Sequence, residues 1–91
     1  MSIQWLFEVI EDRKNKPTEK SYTASLFKEG LPRIAQKVGE EGTEVVVAAL
    51  AQDDQRLIEE VADLAYHTLV LLSARGLSPA QILAELEKRH Q

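Results

Sequence analysis

Two acidic pairs, Glu41/Glu44 and Glu60/Asp63, are mirror images about Gln52 inside two long apolar-periodic segments. The midpoint of 41 and 63 is 52, and the midpoint of 44 and 60 is also 52. Gln52 opens the polar stretch Gln52-Asp53-Asp54-Gln55, where a chain can reverse. If both segments are helices folded back about that stretch, the four carboxylates come level across an antiparallel hairpin. The i, i+3 spacing within each pair also keeps both acids on one face of their own helix. Two like charges ~4 Å apart repel by roughly 4 kcal/mol at an effective dielectric of 20. Several such contacts would be a heavy load for a domain stable by only ~5–15 kcal/mol. A divalent cation among them reverses the sign.

The rest of the chain fits an all-α fold of four to five helices, with no segment alternating at period two long enough to make a strand. Ser2 can cap a first helix carrying Ile3, Leu6, Phe7 and Ile10, which ends in the basic run Arg13-Lys14-Asn15-Lys16-Pro17. Residues 17–30 read as a loop holding a short helical piece at 24–28. Pro32 suits the first turn of the next helix, which runs to about Ala51. Asp53 or Asp54 caps the partner helix, and Gly76 stops it. Ser78-Pro79-Ala80-Gln81 then starts a last helix with Ser at the N-cap, Pro at N1 and Gln at N3.

Ninety-one residues make one domain, 1–91, too short for two cores. A single layer of helices this size would be helped by packing against a second copy. With no Cys, disulfides, thiolate nucleophiles and sulfur-ligated metals are excluded. The net charge of −4 argues against a nucleic-acid footprint, which is normally basic. No apolar run approaches the ~20 residues that span a bilayer. The start, Met-Ser-Ile-Gln-Trp-Leu-Phe-Glu, does not look like a secretory signal. A cytoplasmic protein without nucleic-acid or membrane partners is expected.

The two central helices differ on a helical wheel. Ile34, Val38, Glu41, Val45 and Ala48 recur at steps of four and three, so Glu41 interrupts an apolar stripe. A buried lone carboxylate costs several kcal/mol even after relaxation. Lys37, one turn earlier, is a possible partner. In the second segment Glu59, Glu60, Asp63, Tyr66 and His67 form a polar face, opposite Ile58, Val61, Ala65 and Leu72. Taken alone, that face could simply meet water. An all-carboxylate site without His points to Mg²⁺, with Mn²⁺ as a substitute, and Mg²⁺ commonly shares its shell with substrate phosphates.

Glu40-Glu41-x-x-Glu44, followed after fifteen residues by Glu60-x-x-Asp63, resembles the metal signature of all-α nucleoside-triphosphate pyrophosphohydrolases of the MazG-like type. Within them, four stretches resemble the phosphoribosyl-ATP pyrophosphohydrolase family: Ser21 to Phe27, Ile34 to Glu41, Ala62 to His67 and Leu86 to His90. The similarity runs along nearly the whole chain. It implies Mg²⁺-dependent hydrolysis of 1-(5-phosphoribosyl)-ATP to 1-(5-phosphoribosyl)-AMP and pyrophosphate in histidine biosynthesis. It also implies a homodimer of paired helices; because the sequence ends after the last helix, the form not fused to the next enzyme, a cyclohydrolase, is expected.

On that resemblance Glu41, Glu44, Glu60 and Asp63 are metal ligands. Glu40 would orient or deprotonate the attacking water, or, about 100° around the helix from Glu41, only support the site from the surface. Lys37 would meet the triphosphate, or else only neutralise Glu41 or Glu44. Ser21, Tyr22 and Thr23 offer hydroxyls and backbone N–H groups to phosphate, or cap the short helix. Arg13 and Lys14 could hold the ribosyl phosphate, or simply complement a helix end. Tyr66 and His67 could meet the base, or be structural. Three rival readings stay open: a housekeeping nucleotide pyrophosphohydrolase with the same metal site, a non-catalytic helical module with an acidic binding face, and a purely structural ion site.

Overall fold

The computed structural model describes residues 1–90 and contains five helices and no strand among them. They are α1 (Ile3–Asn15), α2 (Tyr22–Glu29), α3 (Leu31–Ala51), α4 (Asp54–Ala74) and α5 (Pro79–Arg89). α3 and α4, 21 residues each, form the antiparallel hairpin that the mirrored acids predict. Each is about 30 Å long at 1.5 Å per residue.

The helix ends follow local chemistry. Ser2 Oγ accepts from the Trp5 amide at 3.0 Å and starts α1. Ser21 Oγ accepts from the Ala24 amide at 3.1 Å, so α2 begins at Tyr22, two residues before the short helical piece expected at 24–28. Gly30, at φ 95°, separates α2 from α3 with a conformation that costs a side chain dearly, and Pro32 follows in the first turn of α3. Asp53, rather than Asp54, caps α4 by accepting from the Arg56 amide at 2.9 Å.

α4 ends in a Schellman motif. Gly76 has φ 71°, its amide donates to the Ser73 carbonyl at 3.1 Å, and the Leu77 amide donates to the Leu72 carbonyl at 2.8 Å. Gln81 then accepts from the Ser78 amide at 2.9 Å to open α5, which leaves α4 at 105°.

The core lies at one end of the hairpin. Phe7 and Ile10 from α1, Leu26 from α2, Ile34 from the start of α3, and Leu69, Val70 and Leu72 from the end of α4 are buried together. Toward the 52–53 turn nothing covers the hairpin, and Val46, Val47, Leu50, Ile58 and Val61 are exposed. The polar face of α4 is divided by this packing: Glu60 and His67 are buried, while Glu59 and Asp63 are exposed. The apolar side drawn opposite it does not form a core along its length. Leu72 is buried, whereas Ile58 is 62% exposed and Val61 46%. α3 meets the acidic side of α4, and that contact decides which face turns inward. No single helix among the described residues is long and apolar enough to cross a membrane.

Candidate metal centre

Where the core ends and the open half of the hairpin begins, α3 and α4 bring three carboxylates together. One oxygen from each of Glu41, Glu60 and Asp63 lies within 4.8 Å of the other two. Glu41 and Glu60 are each only 5% exposed, and Asp63 opens to solvent. The apolar stripe of α3 explains the burial of Glu41, since Ile34 and Ala48 on the same stripe are also buried.

Each buried acid has one oxygen paired and one free. Lys37 Nζ reaches Glu41 Oε1 at 3.3 Å, and the Arg56 guanidinium reaches Glu60 Oε1 at 2.8 Å. Both cations stand four residues before their acid. Glu41 Oε2 and Glu60 Oε2 are buried with no hydrogen-bond partner. Buried carboxylate oxygens without donors are costly, and here they sit in one cluster with a third acid beside them. An all-oxygen donor set with one exposed member fits a hard divalent cation that keeps water or phosphate in its remaining positions.

Glu44, one turn beyond Glu41, is exposed and lies outside the three-carboxylate cluster. Three residues turn a helix by 300°, so Glu44 trails Glu41 by about 60° toward the solvent edge of the stripe. Among the described residues no ion pair holds it. Glu40 is exposed as well, accepting from the Gln36 amide at 2.8 Å and facing Lys37 at 3.5 Å and Arg33 at 3.7 Å. The Gln36 hydrogen bond first, then Lys37 and Arg33 against slight burial, hold its carboxyl below the usual range. Burial pulls the Lys37 ammonium down, but its hydrogen bonds to Glu41 and Glu40 and the negative charge of Glu41 outweigh it and raise the pKa. Lys37 therefore carries a full charge beside the acids at neutral pH.

The hydroxyls of residues 21–23 all have partners within the chain. Ser21 caps α2, Tyr22 bonds to His67 Nε2 at 2.8 Å, and Thr23 bonds to the Tyr66 hydroxyl. Tyr66 and His67 are thus joined to α2, one turn past Asp63. Lys14 donates to the Ser73 carbonyl at 3.0 Å and pairs with Glu11 at 2.9 Å, which ties α1 to the end of α4. Arg13 makes only a loose 3.7 Å contact with Asp12. Arg13 and Lys14 nevertheless line an open cleft of about 890 Å³ with Pro17, Thr18, Lys28 and Ile34.

Arg56 is the site residue that reading the motif overlooked. It pairs with Glu59 at 2.6 Å as well as with Glu60. Its i, i+4 spacing from Glu60 was visible, and matches that of Lys37 from Glu41.

Comparison with known proteins places this geometry in a lineage. The family model for phosphoribosyl-ATP pyrophosphohydrolase matches residues 4–90. A protein named phosphoribosyl-ATP pyrophosphatase from Clostridium botulinum is 49% identical over 98% of this chain and 81% of its own length. One of the same name from Erythrobacter litoralis is 51% identical over 97% of this chain and 85% of its own. The histidine biosynthesis bifunctional protein HisIE of Shewanella oneidensis is 54% identical over 94% of this chain, which spans 41% of that longer protein. With a family match over almost its full length and relatives at about half identity, the chain belongs to the phosphoribosyl-ATP pyrophosphohydrolase family.

Proposed function

We propose that the whole chain, residues 1–91, is one pyrophosphohydrolase domain that converts 1-(5-phosphoribosyl)-ATP to 1-(5-phosphoribosyl)-AMP and pyrophosphate, the second step of histidine biosynthesis. The observation that carries the reading is the pair of buried, unpartnered oxygens on Glu41 and Glu60 beside Asp63. Family membership supplies the substrate.

Glu41, Glu60 and Asp63 would hold the cation, Mg²⁺ or Mn²⁺, which when bound neutralises triphosphate charge and polarises a phosphoryl oxygen. Glu44 stands beside this set as a fourth acid able to turn toward it. Lys37 stabilises the charge that grows on the leaving pyrophosphate as the α–β phosphoanhydride bond breaks. Water supplies the new P–O bond, and its proton passes to solvent. The lowered pKa of Glu40 suits it to orienting that water by accepting a hydrogen bond, since a weak base strips protons poorly. Arg56 holds Glu60 Oε1 at 2.8 Å and so aims the carboxylate. The cleft lined by Arg13, Lys14 and Lys28 is the place for the ribosyl phosphate.

A second copy completes the fold in this reading. Ile58, Val61, Ile82, Leu83 and Leu86 are all exposed, more apolar surface than a helical domain of this size leaves to water without a partner. A homodimer that pairs the uncovered halves of the hairpins would cover much of it.

The test is pyrophosphate release from phosphoribosyl-ATP, with and without Mg²⁺, beside ATP and dUTP. Mg²⁺-dependent release from phosphoribosyl-ATP alone is the expected result. Release from the simple nucleotides instead would move the chain to housekeeping chemistry, and none at all would leave only an acidic binding face.

A further inference from the structure

Tyr22 is 52% exposed, yet its hydroxyl is tied down by a side chain that is only 6% exposed. That side chain is His67, whose Nδ1 lies 2.7 Å from the Asp63 carbonyl oxygen. A carbonyl only accepts, so Nδ1 carries the proton, and in the neutral ring Nε2 is left to accept from the Tyr22 hydroxyl. The two rings also meet edge to face, with centroids 5.8 Å apart at 79°. The next residue, Thr23, is bonded to Tyr66, so two consecutive residues of α2 are fastened to α4.

An exposed ring needs no such fastening to remain in water. Holding it costs rotamer freedom, and that cost is met on folding rather than on binding. The position of the ring matters too. The same imidazole that holds the Tyr22 hydroxyl at 2.8 Å is itself held at 2.7 Å by the backbone of Asp63, the exposed member of the acid cluster. One side chain, His67, therefore links the exposed ring to the backbone of a member of the three-carboxylate cluster.

We propose that Tyr22 is a platform on which the purine base of the substrate stacks, and that His67 is the positioning residue that holds it there. The inference rests on the proposed function, in which the triphosphate lies at the acids and the base must find a neighbouring surface. Because the hydroxyl donates to His67, Tyr22 meets a base with its face and not with its hydrogen bond. Such a contact recognises flatness and is sequence-tolerant between adenine and guanine. Tyr66, half-buried with its hydroxyl joined to Thr23, has a supporting part and not a base-reading one.

The experiment is equilibrium titration of the full chain in Mg²⁺ with ATP and with inorganic tripolyphosphate, which lacks a base. It needs no hydrolysis, so it stands whether or not phosphoribosyl-ATP proves to be the substrate. ATP should bind more tightly than tripolyphosphate by about 5- to 150-fold, the range of one base–aromatic stack. Tyr22→Leu should erase that preference, Tyr22→Phe should keep most of it, and His67→Ala should narrow it. Tripolyphosphate affinity should stay within about twofold throughout. Equal binding of both probes by the unaltered chain would overturn the platform, as would equal weakening of both by Tyr22→Leu. Equal damage from Tyr22→Phe and Tyr22→Leu would assign the effect to the hydroxyl and overturn it too. Nitrogen NMR of His67 supplies an independent check: a proton on Nδ1 with Nε2 accepting is expected, and a proton on Nε2 would overturn the positioning role.

Discussion

Glu41 and Glu60 share one arrangement: one oxygen on a cation four residues earlier, the other buried without a donor. Without a divalent ion this arrangement is a strain on the fold, since Lys37 and Arg56 satisfy only half of each group. Glu60→Gln should therefore stabilise the cation-free protein by about 1 kcal/mol, within the usual range for single substitutions. The same variant should lose the rise in Tm that Mg²⁺ gives the unaltered chain, and thermal unfolding with and without the ion checks both. A second residue-scale prediction concerns Glu11. Burial opposes its ionisation, but hydrogen bonds from Lys14 and Ser73 and the Lys14 charge prevail, holding its pKa below the ordinary 4.5. A depressed carboxyl pKa gives stability that is present above the ordinary value and lost as pH falls through the folded one. Glu11→Gln should accordingly flatten the loss of Tm as pH falls below the ordinary 4.5, measured by circular dichroism. At this scale the burial of Glu41 was legible, because the stripe of α3 carries its own periodicity. The burial of Glu60 was not, because the α4 wheel has apolar residues on the far side and does not say which side α3 will cover.

The helices themselves were legible where capping chemistry is strong. Ser2, Asp53, Gly76 and Ser78 mark real ends, and the i, i+3 acids marked the hairpin. α2 was read too short, because its start depends on Ser21 acting as a cap while the polar run before it reads as loop. Its docking on α4 through Tyr22 and Thr23 is a tertiary contact that no local pattern carries. The Asp53 cap gives an element-scale prediction. Asp53→Ala should cost about 1 kcal/mol, the usual loss for an N-cap. In a domain this small that lowers Tm by roughly 4–8 °C. The turn lies away from the packed core, so the shift should come without loss of helical content at room temperature, which circular dichroism would show.

At the scale of the whole molecule, the core gathers at one end of the hairpin and the acid site sits at its border. The other end is apolar and open, and α5 has no buried residue. A stable interface buries roughly 1,200–2,000 Å² in total, and the exposed residues of α3, α4 and α5 are placed to supply it. Light scattering should give twice the 10.2 kDa chain mass, and Ile58→Glu or Leu83→Glu should return it to the single value. A monomer at micromolar concentration in the unaltered chain would remove the dimer from the account. The central claim is that Glu41, Glu60 and Asp63 bind a divalent cation, and Mn²⁺ binding followed by electron paramagnetic resonance tests it most directly. The unaltered chain should bind the ion at a saturable site, with affinity reduced about tenfold or more by Glu41→Gln or Glu60→Gln and less by Glu44→Gln. Unchanged Mn²⁺ affinity in both Glu41→Gln and Glu60→Gln would contradict the metal centre.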